Sequence, residues 1–180
     1  MLEKDIEKIL VSEQQIHDIA TRLGKEITRD YEGKNPIIIG LLKGCMPFMA
    51  ELMKHIDLYC EIELMAVQSY HGGVASTGDV KITRDLDTPV KGRHVWIAED
   101  IVDTARTMEV IRSLLLHRGA LSVEVVTLLD KPEGRVTPFT PKYIGVTIPK
   151  EFVVGFGLDY EEYYRNLPYV GVLKESVYKK

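Results

Sequence analysis

The pattern of hydrophobic and polar positions predicts a helix and then a buried strand in the first part of the chain. An apolar side chain recurs every three or four positions between residues 13 and 30, which indicates an amphipathic helix. Ser12 and Gln15 have the spacing of a capping box at its start. Residues 37 to 42 are apolar throughout, as in a parallel strand covered on both faces. The apolar helix positions are Ile16, Ile19, Ala20, Leu23 and Ile27.

The rest of the chain continues this alternation of strands and helices. It indicates an α/β fold with a mainly parallel, twisted sheet flanked by helices, and a strand-rich tail that adds a small lobe or an antiparallel edge. Residues 71 to 78 are small, polar and glycine-rich, which predicts a loop. A chain of 180 residues without a linker or repeat is expected to form one domain over 1–180. Further helices are predicted at 47–56 and 106–118, and further strands at 6–11, 59–69, 80–86, 94–98, 122–129, 142–148, 152–156 and 169–173.

Composition and charge exclude several classes of protein. Hydrophobic residues make up 45% and charged residues 28% of the chain, which is typical of a globular domain and not of a disordered one. No apolar run approaches the roughly 20 residues that cross a bilayer, so we expect no membrane association. The net charge of −4 disfavours a general nucleic-acid binder. Cys45 and Cys60 are too few for a disulfide framework and favour a reducing, cytoplasmic location.

Three carboxylates follow the apolar strand predicted at 94–98. Glu99 and Asp100 end it, Asp103 comes three residues later, and a helix is predicted to begin directly afterwards. In open α/β sheets ligands bind at the carboxyl ends of strands. The turn over residues 103–107 offers backbone N–H groups, two hydroxyls and a helix N-terminus, which suit a phosphate, and Arg106 adds positive charge. Carboxylates beside a phosphate suit Mg²⁺, sugar hydroxyls or proton transfer, the alternative being solvated acids at a strand end.

Residues 99 to 107, EDIVDTART, resemble the motif by which type I phosphoribosyltransferases bind phosphoribosyl pyrophosphate (PRPP). Over nearly the whole chain, the order and spacing of motifs resemble the hypoxanthine-guanine phosphoribosyltransferases. The resemblance implies the type I fold, with a small hood lobe formed by the N- and C-terminal segments. It also implies Mg²⁺-dependent transfer of phosphoribosyl from PRPP to hypoxanthine or guanine by a homodimer or homotetramer. The other matching segments are LLKG (41–44), SY (69–70), STGDVK (76–81), LDKP (129–132) and FVVGFGLDY (152–160).

The resemblance also implies roles on the PRPP side of the site. Asp103 matches the general base for the proton on purine N7, and Glu99 and Asp100 match the acids that hold the ribose hydroxyls and Mg²⁺. Lys43 matches a pyrophosphate ligand preceded by a cis, non-proline peptide bond, and residues 70–79 match a lid that closes over the reacting groups. The PRPP-binding set is Lys43, Gly44, Ser69, Tyr70, Glu99, Asp100, Asp103, Thr104, Ala105, Arg106, Thr107 and Arg165.

On the purine side the resemblance names four residues. Lys131 matches the donor to purine O6, a contact that selects 6-oxopurines over adenine because the 6-amino group would leave the lysine unpaired. Phe152 matches the ring that stacks on the base, and Val153 the backbone contact to its other edge. Asp159 matches a second Mg²⁺ ligand beside the purine. Arg135, four residues beyond Lys131, is expected to support this region structurally.

Ala105 departs from the commoner pattern, in which glycine occupies this position of the phosphate turn. If the position requires a positive φ, alanine costs about 1 kcal/mol. We expect instead that the turn differs slightly and that phosphate binding survives.

Three alternatives remain open beside this hypothesis. A xanthine-preferring phosphoribosyltransferase would carry the same motifs, because backbone groups recognise the 2-position of the base. An RNA-binding regulator on the same fold is disfavoured by the acidic charge balance. A receiver-type signalling domain would explain neither the lid nor residues 152–159. The remaining histidines show no metal-ligand spacing in the sequence and are interpreted as structural or surface residues; they are His17, His55, His94 and His117.

Overall fold

The computed structural model of the chain describes residues 1–69 and 80–179. Its strands are β1 (Ile6–Val11), β2 (Ile37–Leu42), β3 (Glu61–Ser69), β4 (Val80–Arg84), β5 (His94–Val102), β6 (Ser122–Asp130), β7 (Tyr143–Thr147), β8 (Val153–Val154) and β9 (Val170–Leu173). The α-helices are α1 (Glu13–Asp30), α2 (Cys45–Met53), α3 (Arg106–His117) and α4 (Glu175–Tyr178), and short 3₁₀ turns cover Leu2–Asp5 and Pro132–Gly134.

Six strands form the main sheet in the order β4-β3-β2-β5-β6-β7. All neighbours are parallel except β4, which is antiparallel to β3 at the edge. Successive residues of a strand face opposite sides, and here both sides are covered. Ile38 packs in the cluster that contains α1 and α2, whereas Ile37 and Ile39 pack in the cluster that contains α3. This arrangement explains why β2 is apolar at every position.

The second sheet is small and antiparallel, in the order β1-β9-β8. It joins the N-terminal strand to the last two strands, which confirms the hood lobe predicted from the resemblance. Its core includes Ile6, Val154 and Leu173. None of the helices in the described ranges is both long enough and apolar enough to cross a membrane.

Helix α1 has the bounds that its pattern predicts. Ser12 Oγ accepts a hydrogen bond from the Gln15 backbone N–H at 3.2 Å, and Gln15 Oε1 accepts one from the Ser12 N–H at 2.8 Å. The predicted capping box is therefore present on both sides.

Four elements differ most from the prediction. Helix α2 starts at Cys45, not at residue 47, because Pro47 is tolerated in the first turn of a helix. Strand β5 continues through both acids to Val102, because residues 101 and 102 still pair with β6. Strand β8 contains only two residues, because Gly155 and Phe156 have φ angles of 99° and 49°, outside the extended region. Helix α4 was not predicted.

Candidate functional site

A cleft of about 270 Å³ opens at the carboxyl ends of β2 and β5. Its lining joins the turn after β2 to the turn between β5 and α3, at the sheet edge where the sequence predicts a ligand site. Arg106, the first residue of α3, is exposed and does not line the cleft. The predicted residues that do line it are Gly44, Glu99, Asp103, Thr104, Ala105 and Thr107.

The acid pair near the end of β5 is buried and only partly compensated. Asp100 is buried, and among the described residues the buried Glu99 Oε2 has no hydrogen-bond partner. Burial, and the proximity of Asp100, raise the pKa of Glu99 well above its usual value. Burial also raises the pKa of Asp100, although the Ile101 N–H donates to its carboxylate at 2.7 Å. A divalent cation would supply the missing positive charge.

Gly44 permits the turn after β2 to approach this acid pair. A Cβ atom on Gly44 would lie 1.9 Å from Asp100 Oδ2, closer than any real contact. The cis peptide bond that the resemblance implies is present between Leu42 and Lys43.

The turn between β5 and α3 adopts a left-handed backbone at Ala105, with φ 67° and ψ 0°. The expectation that alanine changes the turn is therefore wrong: the position requires a positive φ and alanine occupies it. This conformation costs a residue with a Cβ atom about 1–2 kcal/mol. Surrounding contacts hold the turn in place, since the Val136 N–H donates to the Thr104 carbonyl at 3.2 Å.

The structure brings the predicted general base and the predicted purine donor into direct contact. Lys131 Nζ lies 2.5 Å from Asp103 Oδ2. The Lys131 side chain is 13% exposed and that of Asp103 is 39% exposed, so the carboxylate faces the cleft more openly. Gly134 makes room for this pair, because a Cβ there would lie 1.7 Å from Asp103 Oδ1. Gly134 was not predicted as a site residue, because a glycine in the turn after Lys131 does not by itself indicate a contact with Asp103.

Arg135 ties the ends of β5 and β6 together, in agreement with its predicted supporting role. Its guanidinium donates to the carbonyl oxygens of Val102 at 2.5 Å and Asp103 at 2.6 Å, and forms an ion pair with the buried Asp130. It also donates to the Phe139 carbonyl at 3.0 Å. The backbone on both sides of the Asp103–Lys131 pair is therefore anchored by one side chain.

Glu162 connects the two predicted pyrophosphate cations. Lys43 Nζ lies 2.6 Å from its Oε2, and an Arg165 guanidinium nitrogen lies 3.3 Å from its Oε1. That same nitrogen lies 2.9 Å from Asp159 Oδ1. Sequence analysis missed Glu162, because it is separated from Lys43 by 119 positions and only the hood brings them together.

The purine-side residues Phe152 and Val153 of the hood do not line this cleft. Phe152 is 40% exposed, and its ring stacks on Tyr178 of α4 with centroids 4.8 Å apart. Val153 is buried in β8 opposite Val172. Neither lines the cleft around Asp103. Tyr178 is a further contact that the sequence analysis missed, since nothing local predicts α4.

The predicted metal ligands do not all come together, and the predicted lid residues are only partly described. Glu99, Asp100 and Asp159 do not form a three-ligand cluster in the part of the chain that the structure describes. Ser69 ends β3, and its backbone pairs with Val80. Tyr70 and the predicted lid over 70–79 lie outside the described residues.

Comparison with known proteins assigns the family. A model described as a phosphoribosyl transferase domain matches residues 8–161. The chain is 60% identical over 179 residues to a hypoxanthine-guanine phosphoribosyltransferase of Lactococcus lactis. The aligned region covers 99% of this chain and 97% of the relative. The chain belongs to the hypoxanthine-guanine phosphoribosyltransferase family.

Further similarities of this phosphoribosyltransferase extend over its full length. It is 57% identical over 180 residues to a hypoxanthine-guanine phosphoribosyltransferase of Streptococcus pyogenes, with 100% of both chains covered. A solved hypoxanthine phosphoribosyltransferase from Staphylococcus aureus superimposes with a TM-score of 0.96 at 47% identity, covering 99% of this chain and 97% of that one. The predicted α/β fold of type I phosphoribosyltransferases is confirmed.

Proposed function

We propose that this phosphoribosyltransferase acts in purine salvage and transfers phosphoribosyl from PRPP to hypoxanthine or guanine. The products are IMP or GMP and pyrophosphate. The Asp103–Lys131 contact beside the phosphate turn carries the proposal, because a carboxylate that can accept a proton and an ammonium group that can donate a hydrogen bond lie together next to the cleft. Relatives with more than half of their residues identical bear the name of this activity.

The acid pair at the end of β5 fits Mg²⁺ and the ribose hydroxyls. Glu99 Oε2 is a buried oxygen without a hydrogen-bond partner in residues 1–69 and 80–179, and its neighbour Asp100 is buried as well. Bound Mg²⁺ would supply positive charge to PRPP and to the leaving pyrophosphate. Glu99 and Asp100 would hold the ion and the hydroxyls, while Asp159, on the hood side, is proposed as a second ligand.

Asp103 and Lys131 separate when a 6-oxopurine binds. Lys131 donates to O6, which leaves the Asp103 carboxylate free to accept the proton from N7. As that proton leaves, N9 forms its bond to ribose C1 and the bond from C1 to pyrophosphate breaks. Phe152 is proposed to stack on the base, and Val153 to contact its edge through the backbone.

The phosphate groups are bound by two separate regions. The turn over residues 103–107 is proposed to hold the 5′-phosphate through backbone N–H groups at the start of α3. Lys43 and Arg165 are proposed to hold pyrophosphate after leaving Glu162, which contacts both of them in the unliganded chain. Ser69 and Tyr70 are proposed to reach the pyrophosphate as the lid closes, which excludes water from the reacting ribose.

Turnover with PRPP and Mg²⁺ tests this proposal, with hypoxanthine, guanine, xanthine and adenine offered in parallel. We expect product from hypoxanthine and guanine and none from adenine. Lys131→Ala should reduce discrimination against adenine, whereas Lys25→Ala, on the exposed face of α1, should not. Product from xanthine alone would favour the xanthine-preferring alternative, and no product from any base would overturn the proposal. The single domain over 1–180, the homodimer or homotetramer and the cytoplasmic location remain predictions.

A further inference from the structure

Two histidines and one glutamate converge between α1 and the end of α2, away from the cleft. His17 Nδ1 lies 2.9 Å from Glu51 Oε1, and His55 Nε2 lies 3.3 Å from the same oxygen. One ligand atom from each residue lies within 4.8 Å of the other two. The sequence shows no metal-ligand spacing here because His17 is 34 positions from Glu51, and only the fold brings the two side chains together.

The hydrogen bonds around Thr21 favour one tautomer of a neutral His55. The Thr21 hydroxyl donates its one hydrogen to the His17 carbonyl at 2.9 Å. Its oxygen lies 3.4 Å from His55 Nδ1, so it can only accept from that nitrogen. A neutral His55 with its proton on Nδ1 presents the lone pair of Nε2 toward Glu51 Oε1, so that either a proton or a metal ion can bridge these two atoms.

The separations suit a small tetrahedral ion. Zn²⁺ lies about 2.0–2.1 Å from imidazole nitrogen and carboxylate oxygen, so two ligands of a tetrahedral site are about 3.3 Å apart. The two measured separations from Glu51 Oε1 require only small side-chain shifts to reach this value. An adjoining cleft of about 490 Å³, which His17 and Glu51 help to line, gives access and space for a water as fourth ligand.

We propose that His17, Glu51 and His55 form a site for a divalent transition metal, with Zn²⁺ as the best fit. Imidazole ligands distinguish this site from the acid pair Glu99–Asp100, because Mg²⁺ prefers oxygen ligands. Thr21 is a positioning residue that orients His55 through its other ring nitrogen. Lys54 forms an ion pair with the remaining oxygen of Glu51, and its exposed side chain can stay there or turn to solvent. A bound ion would fasten α1 to α2, whose first residue follows Gly44 in the active-site cleft.

Calorimetric titration of the full chain, without an affinity tag, with ZnCl2 in a buffer containing Mg²⁺ tests the proposal. We expect one Zn²⁺ per chain, together with a rise in Tm because the ion binds the folded state. His17→Gln and His55→Gln should weaken binding more than 10-fold, and Thr21→Val about 10-fold. His117→Gln, at an exposed histidine on α3, is the matched control and should bind as the parent does. Glu99→Gln should also bind Zn²⁺ normally, which separates this site from the active site.

Cobalt provides a second readout that does not depend on activity or stability. Co²⁺ bound to two imidazoles and a carboxylate should give the visible absorption of tetrahedral coordination, and His17→Gln should abolish it. Absence of stoichiometric binding would overturn the proposal, as would Zn²⁺ affinity that His17→Gln and Thr21→Val leave unchanged in folded protein. The three residues would then form only an ion-pair network with Lys54.

Discussion

Two carboxylate sites in this chain differ in whether the surrounding groups stabilise the ionised side chain. Glu51 has Lys54, His17 and His55 around it, and their hydrogen bonds outweigh its partial burial and lower its pKa to about 2. Burial, and the adjacent acid Asp100, raise the pKa of Glu99, which has one buried oxygen with no hydrogen-bond partner in the part of the chain that the structure describes. The first arrangement stabilises the unliganded protein, whereas the second leaves a demand for positive charge that a ligand can meet.

The difference indicates that the environment of Glu99 reduces the stability of the unliganded fold and favours ligand binding, whereas that of Glu51 does not. Perturbed carboxylates occur both at functional sites and in structural ion-pair networks, so a shifted pKa alone does not distinguish them. The sign of the shift and the partners do: Glu51 is compensated by Lys54 and by hydrogen bonds with two histidines, whereas the described residues supply no such partner to Glu99 Oε2. Asp103 lies between the two extremes, since Lys131 compensates it in a contact that a purine would have to separate.

Asp103→Asn should produce the largest effect on function. Removing the base is expected to lower kcat by roughly 10²-fold or more, because no other group replaces the proton acceptor. The KM for PRPP should change little, since the phosphate turn is retained. Steady-state kinetics with hypoxanthine and PRPP measure both quantities. An equal loss of PRPP affinity would make Asp103 a residue of the phosphate site instead.

Glu51→Gln and Glu99→Gln should change the free energy of unfolding in opposite directions. Loss of the Glu51 charge removes three partners from a largely buried side chain and should cost about 1–3 kcal/mol. Loss of the Glu99 charge removes an uncompensated anion and should stabilise the unliganded chain by about 1 kcal/mol. Urea unfolding at neutral pH, with EDTA present to exclude bound metal, gives both values. If the free energy of unfolding changed in the same direction in both variants, the proposed difference between the Glu51 and Glu99 sites would be refuted.

The pH dependence of these two variants sharpens the comparison. Because the folded pKa of Glu51 is depressed, its stabilisation is present above the usual value of 4.5 and is lost as pH falls toward about 2. The difference in the free energy of unfolding between the parent and Glu51→Gln should therefore decrease to zero as pH falls over that range. For Glu99, whose folded pKa is raised, the folded state binds more protons, so its destabilising effect disappears as pH falls and its carboxyl protonates. The free energy of unfolding of each variant relative to the parent, measured as a function of pH, should show these two dependences.

Gly134→Ala should have an intermediate effect, confined to function. The new Cβ would displace the Asp103 carboxylate, an exposed side-chain end that can move without disturbing the core. We expect kcat to fall about 10-fold, as misplacing a general base costs part of its contribution. Glu133→Ala, at the exposed neighbouring position, is the control and should retain kcat. Full activity of Gly134→Ala would show that Asp103 need not occupy its observed position.

Ala105→Gly should have the smallest effect, on stability alone. Glycine relieves the left-handed strain at φ 67° but loses more backbone entropy on folding than alanine. The balance should be a gain of about 0.5–1 kcal/mol in the free energy of unfolding. Thermal unfolding of the two proteins without ligands measures it, and a decrease would show that the turn is not strained at this residue.

Local chemistry explains why much of the fold was predictable. The capping residues and apolar spacing determine α1 because each contact spans three or four positions. The run EDIVDTART predicts the phosphate turn because all of its groups lie in one strand-turn-helix segment. The ends of β5 and of β8 were predicted less well, since pairing with β6 extends the first and the positive φ angles at Gly155 and Phe156 end the second.

The sequence by itself determined the α/β class and the residues at the carboxyl end of β5, because periodicity and short motifs act over a few neighbouring positions, whereas the hood was implied by the family resemblance. Only the tertiary structure decided which distant charges meet. It pairs Lys131 with Asp103, places Glu162 between Lys43 and Arg165, and gathers His17, Glu51 and His55. The physical reason is that electrostatic energy depends on separation and burial in space, and strand order and helix packing set both.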